Sequence, residues 1–70
     1  MVRLNGVEFA YRPDMFLTEL VDDYNTNRPK LAFDGFVVLH NGTALTVVQA
    51  QERMLHDNDD IRIIPLLDGG

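Results

Sequence analysis

The sequence contains no cysteine and no serine. Without cysteine the chain has no disulfides, no thiolate metal ligands and no thiol nucleophile, and without serine it has no serine triad. The groups left for chemistry are threonine, the carboxylates, two histidines, the single lysine Lys30 and the chain termini. The absences therefore exclude the commonest nucleophilic enzymes.

Basic residues and long apolar runs are also scarce. Eleven acids against six bases give a net charge of −5, and the bases form no cluster that would neutralise phosphates. No run approaches the roughly 20 apolar residues of a membrane span, and the first residues lack the pattern of a secretion signal. We expect a cytoplasmic protein that binds neither nucleic acid nor membrane.

Two Asn-Gly pairs lie between β-prone runs, and this dipeptide is the strongest short-range signal for a hairpin. Asn5-Gly6 predicts a hairpin that places Val2, Arg3 and Leu4 opposite Phe9, Glu8 and Val7. Asn41-Gly42 follows the strand-like run 36–40 and predicts a second turn. Pattern and turn chemistry agree in both cases.

Helical spacing appears twice. After Pro13, with Asp14 as the expected N-cap, apolar residues recur at the spacing of an amphipathic helix: Phe16, Leu17, Leu20, Val21 and Tyr24. Thr46 and Gln49 form the pattern of a capping box, and Val47, Ala50 and Met54 follow at helical intervals. We expect one main helix and one short helix.

The last apolar run, residues 61–64, follows an acidic turn at 57–60 and has the composition of a central strand. Pro65 ends regular pairing because it has no N–H to donate. The order of elements predicts an α+β fold, a β-grasp (ubiquitin-like) arrangement with a mixed sheet of four to five strands and one main helix packed across it. We expect one domain over residues 1–65 and a flexible tail over residues 66–70.

Three features resemble the ThiS/MoaD family of sulfur carriers: the Asn41-Gly42 turn, the acidic turn before the last strand, and the terminal Gly69-Gly70. The likeness covers essentially the whole chain. It departs from the family at residues 15–17, where a Thr-initiated helix start is common, and at Asp68, where a small residue is usual.

The resemblance implies a carrier that is a co-substrate and not an enzyme. An E1-like adenylating enzyme would use ATP and Mg²⁺ to activate the carboxylate of Gly70, and a sulfur donor such as a cysteine desulfurase or rhodanese would convert it to a thiocarboxylate. Leu66, Leu67, Asp68 and Gly69 would bind the partner. No cofactor is expected to remain bound to the carrier itself.

The acceptor stays open at this point. By resemblance it is thiazole synthase of thiamin biosynthesis, the large subunit of molybdopterin synthase, a thiolated tRNA base or a sulfur-containing amino acid. Two other functions are also open: a ubiquitin-like modifier joined to proteins through Gly70, and an interaction module without chemistry. His40 and His56 lack the spacing of metal ligands, so no metal site is predicted.

Overall fold

The computed structural model describes residues 1–66, which form a five-stranded mixed sheet and two helices. The strands are β1 (Val2–Leu4), β2 (Val7–Phe9), β3 (Phe36–His40), β4 (Thr43–Leu45) and β5 (Asp60–Pro65). The helices are α1 (Leu17–Asn25) and α2 (Val47–Glu52). Within residues 1–66, neither helix is long and apolar enough to cross a membrane.

The strand order in the sheet is β2-β1-β5-β3-β4. β5 lies in the centre, parallel to β1 and antiparallel to β3. The predicted central position of the last strand is therefore confirmed, and the parallel pairing with β1 makes the sheet mixed, as expected. Pro65 is the last residue of β5 and lies opposite Phe36, which agrees with its expected place at the end of regular pairing.

Both predicted hairpins are present. The first has the expected register, with Val2, Arg3 and Leu4 opposite Phe9, Glu8 and Val7. Asn5 and Gly6 have φ angles of 50° and 82°, and Asn41 and Gly42 have φ angles of 50° and 86°. Two consecutive residues with positive φ are the requirement of the two-residue turn that matches the twist of a hairpin.

The start of the main helix differs from the prediction, because Phe16 and not Asp14 is the N-cap of α1. Asp14 has a φ of 60° and lies outside the helix. The segment between them is extended, since the N–H of Leu55 donates to the carbonyl of Met15 at 2.8 Å and the N–H of Leu17 donates to that of Arg53 at 2.9 Å. This long-range pairing overrides the local cap signal.

The first turn of α1 nevertheless contains a carboxylate that accepts a backbone hydrogen bond. Glu19 accepts a hydrogen bond from the backbone N–H of Phe16 at 3.1 Å. Phenylalanine has no acceptor to return, so only half of a capping box is formed. The negative charge of Glu19 also lies favourably near the positive end of the helix dipole.

The short helix begins as predicted. The N–H of Gln49 donates to the hydroxyl of Thr46 at 3.1 Å, and the N–H of Thr46 donates to the side chain of Gln49 at 2.9 Å. The expected short helix is present and ends at Glu52, so Met54 lies outside it despite its helical spacing. Met54 instead pairs with Phe16 as an isolated antiparallel bridge.

A single hydrophobic core occupies one face of the sheet. It is built from buried apolar residues of the strands, the helices and their connections: Val2, Leu4, Met15, Leu17, Leu20, Val21, Val38, Ala50, Leu55, Ile61 and Ile63. Helix α1 contributes three of these, so its apolar stripe covers the central strands. The opposite face of the sheet is left for other contacts.

Two neighbouring isoleucines on β5 test the assignment of one buried and one exposed face of the sheet. Ile63 is 1% exposed and Ile64 is 48% exposed. Ile63→Ala should lower the free energy of unfolding by about 2–5 kcal/mol because it leaves a cavity in the core. The matched variant Ile64→Ala should cost about 1 kcal/mol or less. Equal losses in urea unfolding would contradict the two-faced assignment.

Candidate functional site

The outer face of the sheet carries an exposed apolar surface. Side chains alternate along a strand, so the residues next to the core residues on β3 and β5 lie on the other face of the sheet. Val37 lies opposite Ile64, and Leu39 lies opposite Arg62 on one flank and Ala44 on the other. All of these side chains are partly or largely exposed.

Leu66 extends this surface towards the end of the chain. Its N–H donates to the carbonyl of Gly35 at 2.9 Å, which continues the ladder between β5 and β3 by one residue. Gly35 has a φ of 80°, a conformation that glycine adopts without strain. Leu66 is 60% exposed. We call the surface formed by Val37, Leu39, Ala44, Ile64 and Leu66 the outer apolar patch.

The predicted site is therefore described only in part. Leu66, expected to bind the partner, lies on the outer apolar patch beside the last backbone contact with β3. The other predicted partner-binding residues, Leu67, Asp68 and Gly69, and the predicted reactive residue Gly70 lie outside the described residues.

Charged residues border the patch on the side of β1 and β2. Arg62 extends the outer row of β5, and Arg3 lies beside both Glu8 and Asp60 in the sheet register. The expected facing of Arg3 and Glu8 is confirmed. The outer face thus has an apolar half near the end of β5 and a charged half near its beginning.

A buried carboxylate fastens the second hairpin turn to the start of β5. Asp59 is only 7% exposed. One oxygen, Oδ2, accepts the N–H of His56 at 2.7 Å and lies 2.8 Å from Nε2 of His40, and the other, Oδ1, accepts Nδ2 of Asn41 at 2.9 Å. An ionised carboxylate only accepts hydrogen bonds, so Nε2 of His40 carries the proton.

These contacts determine the ionisation of Asp59. Burial raises its pKa by desolvation, which is the largest single effect. The hydrogen bonds from His56, Asn41 and His40, together with the charge interaction with His40, lower the pKa by more. The net result is a pKa below the ordinary value of an aspartate, so the native state favours the charged form.

The two histidines have different surroundings. His40 is nearly buried and bonded to Asp59, whereas the side chain of His56 is exposed. Across residues 1–66 no three side chains of histidine, aspartate or glutamate come together as a set of metal ligands. His40 is explained by its structural partner, with no ligand required.

Sequence reasoning recognised the turn residues but missed what they bind. Asn41 was expected only to allow positive φ, yet its side chain also accepts the N–H of Asp60 at 2.8 Å. Asp59 was expected only as part of a polar turn. The position of Asp59 just before a strand was the available signal. Its pairing with Asn41, 18 residues earlier, depends on the register of the sheet, which the sequence does not show.

Comparison with known proteins adds no relative. A scan against models of protein families and a search of curated proteins found no match to this chain.

The Asp59 contacts predict acid sensitivity. Because the pKa of Asp59 is lower in the folded state, the unfolded state takes up the proton more readily. The resulting stability is present above about pH 4, the ordinary aspartate range, and is lost as the pH falls through the folded value. Urea unfolding from neutral to acid pH should therefore show a steeper loss for the wild type than for Asp59→Asn.

The two proteins share every other carboxylate, so the difference between their pH curves isolates Asp59. At neutral pH the variant should be less stable by about 1–3 kcal/mol, because the donors of His56, Asn41 and His40 lose a charged acceptor. Parallel curves would show that Asp59 does not titrate differently on unfolding.

Proposed function

We propose that this chain is a sulfur carrier of the ThiS/MoaD type with a β-grasp domain over residues 1–65 and a reactive tail over residues 66–70. It acts in the cytoplasm as a co-substrate of an E1-like adenylating enzyme. The observation that carries the proposal is that the central strand β5 ends beside an exposed apolar surface and is followed in the sequence by Gly69-Gly70.

The sheet supports the β-grasp part of the proposal. Two hairpins flank a central last strand, the first and last strands are parallel, and α1 packs on one face of the sheet. This is the order of elements that a β-grasp requires. Fold alone does not establish function, and the specific support for a carrier comes from the residues at the end of the chain.

The proposed chemistry uses the main-chain carboxylate of Gly70. A carboxylate resists nucleophiles because it is negatively charged and has no good leaving group. Attack of its oxygen on the α-phosphorus of ATP releases pyrophosphate and forms an acyl-adenylate on the partner enzyme. The terminal sulfur of a donor persulfide then attacks the acyl carbon, and AMP leaves with the bonding electrons. A second thiol reduces the resulting acyl disulfide, which releases the thiocarboxylate and leaves a disulfide between that thiol and the donor.

Glycine suits the reactive end because the absence of Cβ lets the backbone enter a narrow channel. Holding residues 67–70 in such a channel costs about 1–2 kcal/mol of backbone entropy per residue, or about 4–8 kcal/mol in total. At about 25 cal/mol per Å² of apolar surface, roughly 160–320 Å² of burial offsets that cost. The outer apolar patch is the surface that supplies it in this proposal.

Adenylation can be tested in an extract of the source cells. With ATP and Mg²⁺, added hydroxylamine should trap the activated Gly70 as a hydroxamate, which peptide mass spectrometry detects. A variant that ends at Asp68 should give no hydroxamate and should unfold at the same urea concentration as the full chain. A trapped product on the shortened chain, or none on the full chain, would refute the proposal.

The outer apolar patch can be tested with a charge. Ile64→Asp should reduce hydroxamate formation by about tenfold or more, because an unpaired charge would enter the centre of the contact with the adenylating enzyme. Val48→Asp is the matched control, since Val48 is 62% exposed and lies on α2. A similar loss in both variants would show that the added charge acts without regard to the patch.

A further inference from the structure

The two hairpin turns contain the same dipeptide in the same backbone conformation. Asn5-Gly6 and Asn41-Gly42 differ by only a few degrees in φ. Asn-Gly is the dipeptide most open to deamidation, since glycine has no Cβ to block its own backbone nitrogen. That nitrogen attacks Cγ of asparagine, ammonia leaves, and water opens the resulting succinimide to aspartate or isoaspartate.

Asn5 is held by neutral backbone groups. Its Nδ2 donates to the carbonyl of Ile63 at 3.0 Å, and its Oδ1 accepts the N–H of the same residue at 2.9 Å. The side chain is half-buried. Conversion to aspartate would remove one donor here and would place the new charge beside no other carboxylate among these contacts.

Asn41 is held by a charge. Its Nδ2 donates to Oδ1 of the buried Asp59 at 2.9 Å, while its Oδ1 accepts the N–H of Asp60 at 2.8 Å. The residue is exposed, in contrast to Asn5. The side-chain amide of Asn41 therefore donates a hydrogen bond to a carboxylate, which an ionised aspartate at this position could not do.

We propose that Asn41 is a deamidation site at which the change to aspartate detaches the second hairpin turn from β5. The reaction replaces the NH₂ donor with a carboxylate oxygen 2.9 Å from Oδ1 of Asp59. Two carboxylates at that distance, one of them buried, do not both stay ionised, so they separate or one is protonated. An isoaspartate product also lengthens the backbone of a two-residue turn and shifts the hairpin register.

The intact contacts restrain the same reaction. While Asn41 is bonded to both Asp59 and Asp60, its Cγ is fixed and the succinimide cannot form without local opening. Asp59 is therefore a positioning residue that slows its neighbour's modification. The rate at Asn41 should depend on Asp59, whereas the rate at Asn5 should not. This inference holds independently of the proposed sulfur chemistry.

In this test, the deamidation rate at Asn5 is the control for the rate at Asn41 in the same molecule. Wild-type protein and Asp59→Ala are incubated at neutral pH, and peptide mass spectrometry follows ammonia loss and deamidation at both asparagines. The ratio of the rate at Asn41 to the rate at Asn5 should rise about tenfold in Asp59→Ala, because a hydrogen bond to a charged group favours the closed state by about that factor. An unchanged ratio would overturn the proposal.

A variant in the hydrophobic core distinguishes the local effect of Asp59 from a general loss of stability. Leu20→Ala, on α1 and fully buried, weakens the whole fold without touching either turn. It should accelerate deamidation at both sites and leave their ratio near that of the wild type. A ratio that rises as much in Leu20→Ala as in Asp59→Ala would attribute the effect to general unfolding and would also overturn the proposal.

The consequence of the modification is tested with mimics. Asn41→Asp should lower the urea midpoint more than Asn5→Asp, because only the former opposes Asp59. Adding Asp59→Asn to Asn41→Asp restores an amide opposite a carboxylate and should recover part of the loss. Equal losses in the two single variants, or no recovery in the double variant, would contradict the charge mechanism.

Discussion

The backbone of β5 is the constraint on which the rest of the structure depends. Its polar groups are satisfied by β1 on one side and β3 on the other, and a buried strand cannot leave such groups without partners. Asn5 adds two further bonds to Ile63, and Asn41 binds the N–H of Asp60. Each hairpin therefore closes its own turn and fastens that turn to the same central strand.

This arrangement gives the two faces of β5 different roles. Ile61 and Ile63 complete the core under α1, while Ile64 and Leu66 remain exposed on the outer apolar patch. Because β3 pairs with β5 as far as Pro65, the end of the strand stays bound to the sheet beside the patch. In the proposed carrier, this separation lets the reactive end enter a partner while the domain stays folded.

The sequence predicted the elements whose signals are local. The Asn-Gly pairs determine the turns, and alternation then determines the register of Val2 to Leu4 against Val7 to Phe9. The predicted start of α1 was wrong because Met15 bonds to Leu55 and Leu17 bonds to Arg53, long-range contacts that no local pattern contains. The Asp59 contacts were missed for the same reason, and the geometry at Gly70 lies beyond the described residues.

The most direct test of the sulfur-carrier account is the intact mass of the protein purified from sulfur-replete cells that contain its partners. The account predicts that one terminal oxygen is replaced by sulfur and that fragmentation places this change at Gly70. An unmodified terminus together with isopeptide conjugates through Gly70 would instead identify a protein modifier. An unmodified terminus without conjugates would contradict both carboxylate functions and leave a binding module.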